Sequence, residues 1–119
     1  MAEYRLRPIE RLKKRGEFDA AFEQGRRFRG RLVTLVATPN GLAHGRVGVI
    51  ASRRVGGAVR RNRAKRLMRE AFRLNKHLLA APLDLVMIAA PRLPDTSRAE
   101  LEVEVQRLFE RVNETVADQ

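Results

Sequence analysis

The sequence predicts one small α+β domain with elements in the order α-β-β-α-β-α. Three observations predict it. Residues 31–38 (RLVTLVAT) are rich in β-branched types, as strands are, and residues 83–90 (LDLVMIAA) form the continuous apolar run of a strand buried on both faces. Between them, residues 58–78 carry apolar side chains at helical spacing. The chain of 119 residues is the length of one domain with a core of its own, and its 44% hydrophobic content is that of a globular protein.

The first fifteen residues carry Arg5, Arg7, Arg11, Lys13, Lys14 and Arg15 and are expected to form an extended or mobile basic arm, up to Pro8 or beyond. Residues 17–24 read as a short helix that places Phe18 and Phe22, four apart, on one face beside Ala21, and Gly25 is a natural stop. The strand at 31–38 ends at Pro39-Asn40-Gly41, and residues 46–52 read as the second strand of a hairpin. Val55-Gly56-Gly57 breaks the chain before the helix at 58–78. Strand, helix, strand from 46 to 90 places the two strands parallel, with the helix as their crossover. Pro91 and Pro94 bracket a loop. Ser97-Arg98-Ala99-Glu100 is a capping box that opens a last helix, in which Leu101, Val105, Leu108, Phe109, Val112 and Val116 follow at helical spacing.

Charge is the strongest functional signal. The net charge is +11, and eight cations (Arg53, Arg54, Arg60, Arg61, Arg63, Lys65, Arg66, Arg69) precede the first acid of their segment, Glu70. Like charge at that density on a folded segment repels itself and points to a polyanionic partner. It is also patterned. Ala64, Leu67, Met68, Ala71 and Leu74 share one helix face, while Asn62, Lys65, Arg66, Arg69 and Arg73 lie opposite. The apolar stripe can dock on a core while the basic stripe meets phosphates, an arrangement that a disordered basic tail would lack. Arginine outnumbers lysine 21 to 4, and arginine can both grip a phosphate bidentately and stack on a base.

Other chemistries find little support. Cysteine is absent, which removes disulfides, cysteine nucleophiles and thiolate zinc sites. His44 and His77 lack neighbouring ligands at metal spacing and read as surface residues. No Gly-Lys-Ser/Thr element follows Gly56 and Gly57, so a phosphate-binding P-loop is not indicated. Seven of the 14 acids lie between Asp95 and Asp118, on what reads as an ordinary amphipathic helix. No catalytic residues are expected. No stretch has the length or apolarity of a membrane span or signal peptide, so the expected location is the cytoplasm, without a membrane partner.

Residues 52–72 resemble the signature of the bacterial ribonuclease P protein subunit family. The matching features are Arg53-Arg54-Val55-Gly56, then Ala58-Val59, then Arg61-Asn62-Arg63 followed by Lys65-Arg66 and Arg69. Arg11-Leu12-Lys13-Lys14 with Phe18 and Phe22 resembles the family's N-terminal element, and Arg46-Val47-Gly48 its second strand. The resemblance covers nearly the whole chain, which is read as a single RNA-binding domain over residues 1–119.

The resemblance implies a ribosomal-protein-like two-layer fold, one mixed sheet with helices, and a left-handed β-α-β crossover through the basic helix, against the usual right-handed rule. It implies a function in tRNA 5′ maturation. The protein would bind the catalytic ribonuclease P RNA and precursor tRNA, with no obligate protein partner, and promote endonucleolytic removal of the 5′ leader. Mg²⁺ held mainly by RNA would carry out the hydrolysis. Arg53, Arg54, Arg61, Asn62, Arg63, Lys65, Arg66 and Arg69 are the expected contacts to catalytic RNA. Phe18 and Phe22 would line a leader-binding cleft. Where relatives often place a tyrosine on the first strand of that cleft this chain has Val36, a candidate for the cleft wall, with Phe28 as an alternative source of stacking. The competing reading is a non-enzymatic RNA-binding module of the ribosomal-protein type, and the Arg-Asn-Arg helix with its glycine turn favours the first.

Overall fold

A computed structural model of the chain describes residues 6–117, with side chains through Thr115. Met1–Arg5 of the expected arm and the Val116 side chain lie outside that description. The elements are α1 (Arg15–Gln24), β1 (Arg26–Arg29), β2 (Val33–Pro39), β3 (Arg46–Ile50), α2 (Ala58–Asn75), β4 (Leu83–Ala89) and α3 (Arg98–Ala117). Four strands form one mixed sheet in the order β1-β2-β4-β3. β4 runs antiparallel to β2 and parallel to β3, so the parallel pair bridged by the basic helix is present.

Two expectations are corrected. β3 does not form a hairpin with β2, because β4 inserts between them and takes a full ladder from each. The connection after Pro39 is a turn held by Asn40, whose Nδ2 donates to the His44 carbonyl (3.1 Å) and to Asp84 Oδ1 on β4 (2.9 Å). β1 is an additional strand, paired antiparallel with β2. Its sequence, Arg26-Arg27-Phe28-Arg29, offers a single apolar residue because it is an edge strand with one face in solvent.

Side chains alternate across the sheet and divide the core in two. Leu35, Leu85, Met87 and Val47 point to one face and pack under Ala64, Met68 and Phe72 of α2 and Leu101, Val105 and Phe109 of α3. Val36 and Val86 point to the other face and meet α1 through Ala21, Phe18 and Phe22. The capping serine of α3 is in place, with Ser97 Oγ accepting the Glu100 N–H at 3.1 Å.

From Arg7 onward the N-terminal segment is docked against the fold. Leu12 is buried, and its N–H donates to the Val47 carbonyl at 2.8 Å, so it runs along the outer edge of β3. The Glu10 carboxylate is buried against Lys76 Nζ (2.8 and 3.0 Å) and accepts the Arg7 N–H at 2.9 Å. Burial alone would raise the Glu10 pKa, but the Lys76 ammonium and the Arg7 N–H groups outweigh it and hold the carboxyl below its ordinary range. Leu12 and Glu10 thus help to anchor a segment that is otherwise basic.

Candidate nucleic-acid interface

The cations of the basic segment fall into two sets. Arg60 belongs to the scaffold: its guanidinium grips Asp95 bidentately (2.8 and 3.0 Å), and its Nε donates to the Val55 carbonyl at 2.8 Å. That fold-back is why Gly56 is glycine. Its φ of +135° is one that L side chains rarely adopt, and a Cβ there would lie 2.7 Å from Arg60 Cδ. Arg73 pairs with Glu70, and Arg98 of α3 also reaches Glu70 at 3.3 Å. Arg63, though exposed, donates from Nε to the Pro94 carbonyl at 2.9 Å, in the turn that precedes α3.

The second set has no carboxylate partner among the described residues: Arg53, Arg54, Arg61, Lys65, Arg66 and Arg69. Arg53 and Arg54 stand exposed just past the end of β3, while Arg61, Asn62, Lys65, Arg66 and Arg69 follow at helical spacing along α2. Arg61 Nε is buried without an acceptor among the described residues. Arg69 is half-buried with the charge of Arg11 nearby. Burial and that like charge together push its pKa down, so the folded protein opposes the charge that Arg69 carries. Arg69→Met is therefore expected to melt no lower than the native chain while binding structured RNA more weakly. A lower melting temperature would make Arg69 a structural residue instead.

The opposite face of the sheet carries an apolar surface, where the expected cleft would lie. Phe18 and Phe22 of α1 are half-buried over Val36 and Val86, with Ile50 and Ile88 half-exposed beside them. Val36, 0% exposed, is the floor beneath the α1 side chains and offers no surface to a ligand, which corrects its expected place in the cleft wall. Phe28 faces the α3 side, because it pairs with Leu35 in the main core, so it cannot stack in the cleft. Sequence reasoning missed the exposed floor. The register aligns Ile50, Ile88, Thr34 and Arg29, one from each strand, in a row across the sheet. Thr34 and Ile88 share the parity of Val36 and Val86, a signal legible once the strands are paired. Arg27 stands 5.6 Å from the centroid of the Phe22 ring, a cation–π contact at the cleft margin.

A polar clasp sets α1 over the sheet. Arg46 donates to both oxygens of the buried Asp84 (2.8 and 2.7 Å) and from Nη1 to Glu17 Oε2 at 2.6 Å. The Lys14 and Lys13 backbone N–H groups at the start of α1, with the Arg46 charge, hold the Glu17 carboxyl below its ordinary range against the opposing effect of burial. Gly48 lets the helix approach, since a Cβ there would fall 2.4 Å from Phe18 Cε1. Among the described residues no group of three His, Asp or Glu could hold a metal ion, and no helix is long and apolar enough to cross a membrane.

A family model described as Ribonuclease P matches residues 6–113. The chain is 40% identical to a ribonuclease P protein component from Desulfatibacillum aliphaticivorans, over 88% of this chain and 89% of that one. It is 41% identical to its counterpart in Dehalococcoides mccartyi strain 195, over 87% and 85% of the two chains. Among solved structures, the RNase P protein from Thermotoga maritima superposes with a TM-score of 0.77 at 29% identity, covering 86% of this chain and 96% of that one. A family match over most of the chain, with relatives at about two-fifths identity across nearly their whole length, shows that this chain belongs to the ribonuclease P protein family.

Proposed function

We propose that residues 1–119 act as one RNA-binding domain that divides its contacts between two RNAs. As the protein subunit of ribonuclease P, the chain holds the catalytic RNA through Arg53, Arg54, Arg61, Asn62, Lys65, Arg66 and Arg69, with Arg63 at the margin. Phe18 and Phe22 hold the single-stranded 5′ leader of precursor tRNA. The observation that carries this reading is the separation of surfaces. Unpaired cations line α2 and the end of β3, whereas half-exposed aromatic and aliphatic groups line the opposite face of the sheet. Folded RNA presents dense phosphates that suit guanidinium groups, while a single strand can unstack its bases onto aromatic rings at about 1–3 kcal/mol per base.

The hydrolysis requires Mg²⁺, and the described residues do not fit a site for it, since carboxylates and histidines are nowhere gathered in threes. Glu17 and Asp84, on the cleft side of the sheet, are both taken by Arg46. RNA and substrate would therefore hold the ion, and the protein's part is to bind and position. The chain would work in the cytoplasm.

The test is cleavage of precursor tRNA by a bacterial ribonuclease P RNA at low Mg²⁺, with and without the protein. Cleavage at the mature 5′ end that needs the protein is expected, and tight RNA binding without cleavage would overturn the reading. Phe22→Ala should weaken precursor tRNA more than mature tRNA by roughly 5- to 100-fold for one lost stacked base. Equal weakening of both would make Phe22 structural only.

A further inference from the structure

At the β1 side of the sheet lies a groove of about 740 Å³ between the β1–β2 turn and α3. Arg29, Arg31, Arg107 and Arg111 line it, opposed by Glu100 and Glu104. Glu104 is occupied. Its Oε1 accepts the Arg31 N–H at 2.8 Å, and its Oε2 accepts those of Leu32 and Val33 at 2.8 and 2.9 Å. All four arginines are exposed, and none forms an ion pair among the described residues.

Arg29, which lines the groove, also ends the row of side chains that crosses the cleft face. The row Ile50, Ile88, Thr34, Arg29 crosses the four strands, beginning next to Arg53 and Arg54 and ending at a groove arginine. Arg27, on the same face of β1 as Arg29, leans over the Phe22 ring. A strand laid across the exposed floor from the β3 side would leave the sheet over β1 among cations.

We infer that this groove binds the phosphates of the upstream part of the leader, as single-stranded RNA emerging from the cleft. The inference rests on the cleft reading above. The occupant follows from the chemistry. Four guanidinium groups on an open groove suit a phosphate chain, which each can grip with paired N–H groups, and a single strand is thin enough to bend over a sheet edge. Leader length beyond the cleft then contributes affinity through charge, with little dependence on base identity.

The test uses holoenzyme reconstituted with ribonuclease P RNA and precursor tRNAs whose leaders grow one nucleotide at a time. The native protein should gain affinity as the leader extends past the cleft. The double variant Arg31→Ala/Arg107→Ala should lose that gain, about fivefold at the longest leaders, with unchanged melting temperature and unchanged affinity for the shortest leader and for mature tRNA. Equal loss at every leader length would overturn the inference and move these arginines to the catalytic RNA, and no loss at any length would overturn it outright. A native holoenzyme that prefers leader-bearing tRNA, but to the same degree at every length, would sink the groove and spare the cleft. One showing no preference for leader-bearing tRNA would sink both.

Discussion

Neutralising Arg61, Lys65, Arg66 and Arg69 together to alanine should weaken binding to ribonuclease P RNA about 10³-fold at roughly 0.15 M salt. Each phosphate contact that displaces a counterion contributes about 0.9 to the slope of log affinity against log salt. Four lost contacts therefore remove nearly three powers of ten at that salt, and should flatten the slope by about three to four units. The structure makes this set separable from the rest of α2. None of the four has a carboxylate partner among the described residues, whereas Arg60 and Arg73 are matched by Asp95 and Glu70. The apolar face of the helix stays intact, with Ala64 and Met68 fully buried, so the variant should fold. Titrations at several salt concentrations give the answer, and an unchanged slope would remove this face from the interface.

Gly48→Ala should lower stability by about 1–3 kcal/mol and disturb the cleft at the same time. In an open strand the same change would help by a few tenths to 1 kcal/mol, because glycine loses the most backbone freedom on folding. Here the added methyl would sit 2.4 and 2.5 Å from Phe18 Cε1 and Cζ and 3.1 Å from Leu12 Cβ. Leu12 cannot easily give way, being tied to the Val47 carbonyl at 2.8 Å. Phe18 must swing out, and it carries the apolar packing of α1 with it. A melting temperature lower by roughly 4–20 °C is expected, together with reduced discrimination between precursor and mature tRNA. A variant as stable as the native chain would show that α1 floats on the sheet and is not wedged against it.

What the sequence made legible depends on how local the signal was. The basic helix carries its own period, and so its start, most of its buried stripe and its cationic stripe could be read from residues 58–78, although the α-helix ends at Asn75 and Leu74 stays half-exposed. β4 could be read from unbroken hydrophobicity, which in a central strand reports burial on both faces. β1 could not, since three arginines around Phe28 look like a charged loop until β2 pairs with them. The mistaken hairpin has the same root. Pro39-Asn40-Gly41 does turn the chain, but whether the next strand lies beside the last depends on β4, far along the sequence. Val36 illustrates a finer limit. Its parity with the cleft face was readable, whereas its depth depends on how closely α1 packs. The clasp of Arg46 with Asp84 and Glu17 joins three separate elements and has no sequence pattern at all.

The two margins of the sheet bear on whether copies of the chain could pair edge to edge. A bare sheet edge is a template for strand addition, and proteins blunt it by covering it or charging it. This chain does both, one at each side. Arg11 and Leu12 lie along β3 and take up the Val47 carbonyl. At the other side β1 is only four residues long and carries Arg26, Arg27 and Arg29, all exposed. A second copy approaching that edge would meet three like charges, whereas a phosphate chain would meet three counterions. Charge that would repel a second copy is thus charge that would attract a nucleic acid, so replacing those three arginines is expected to raise self-association and weaken RNA binding together.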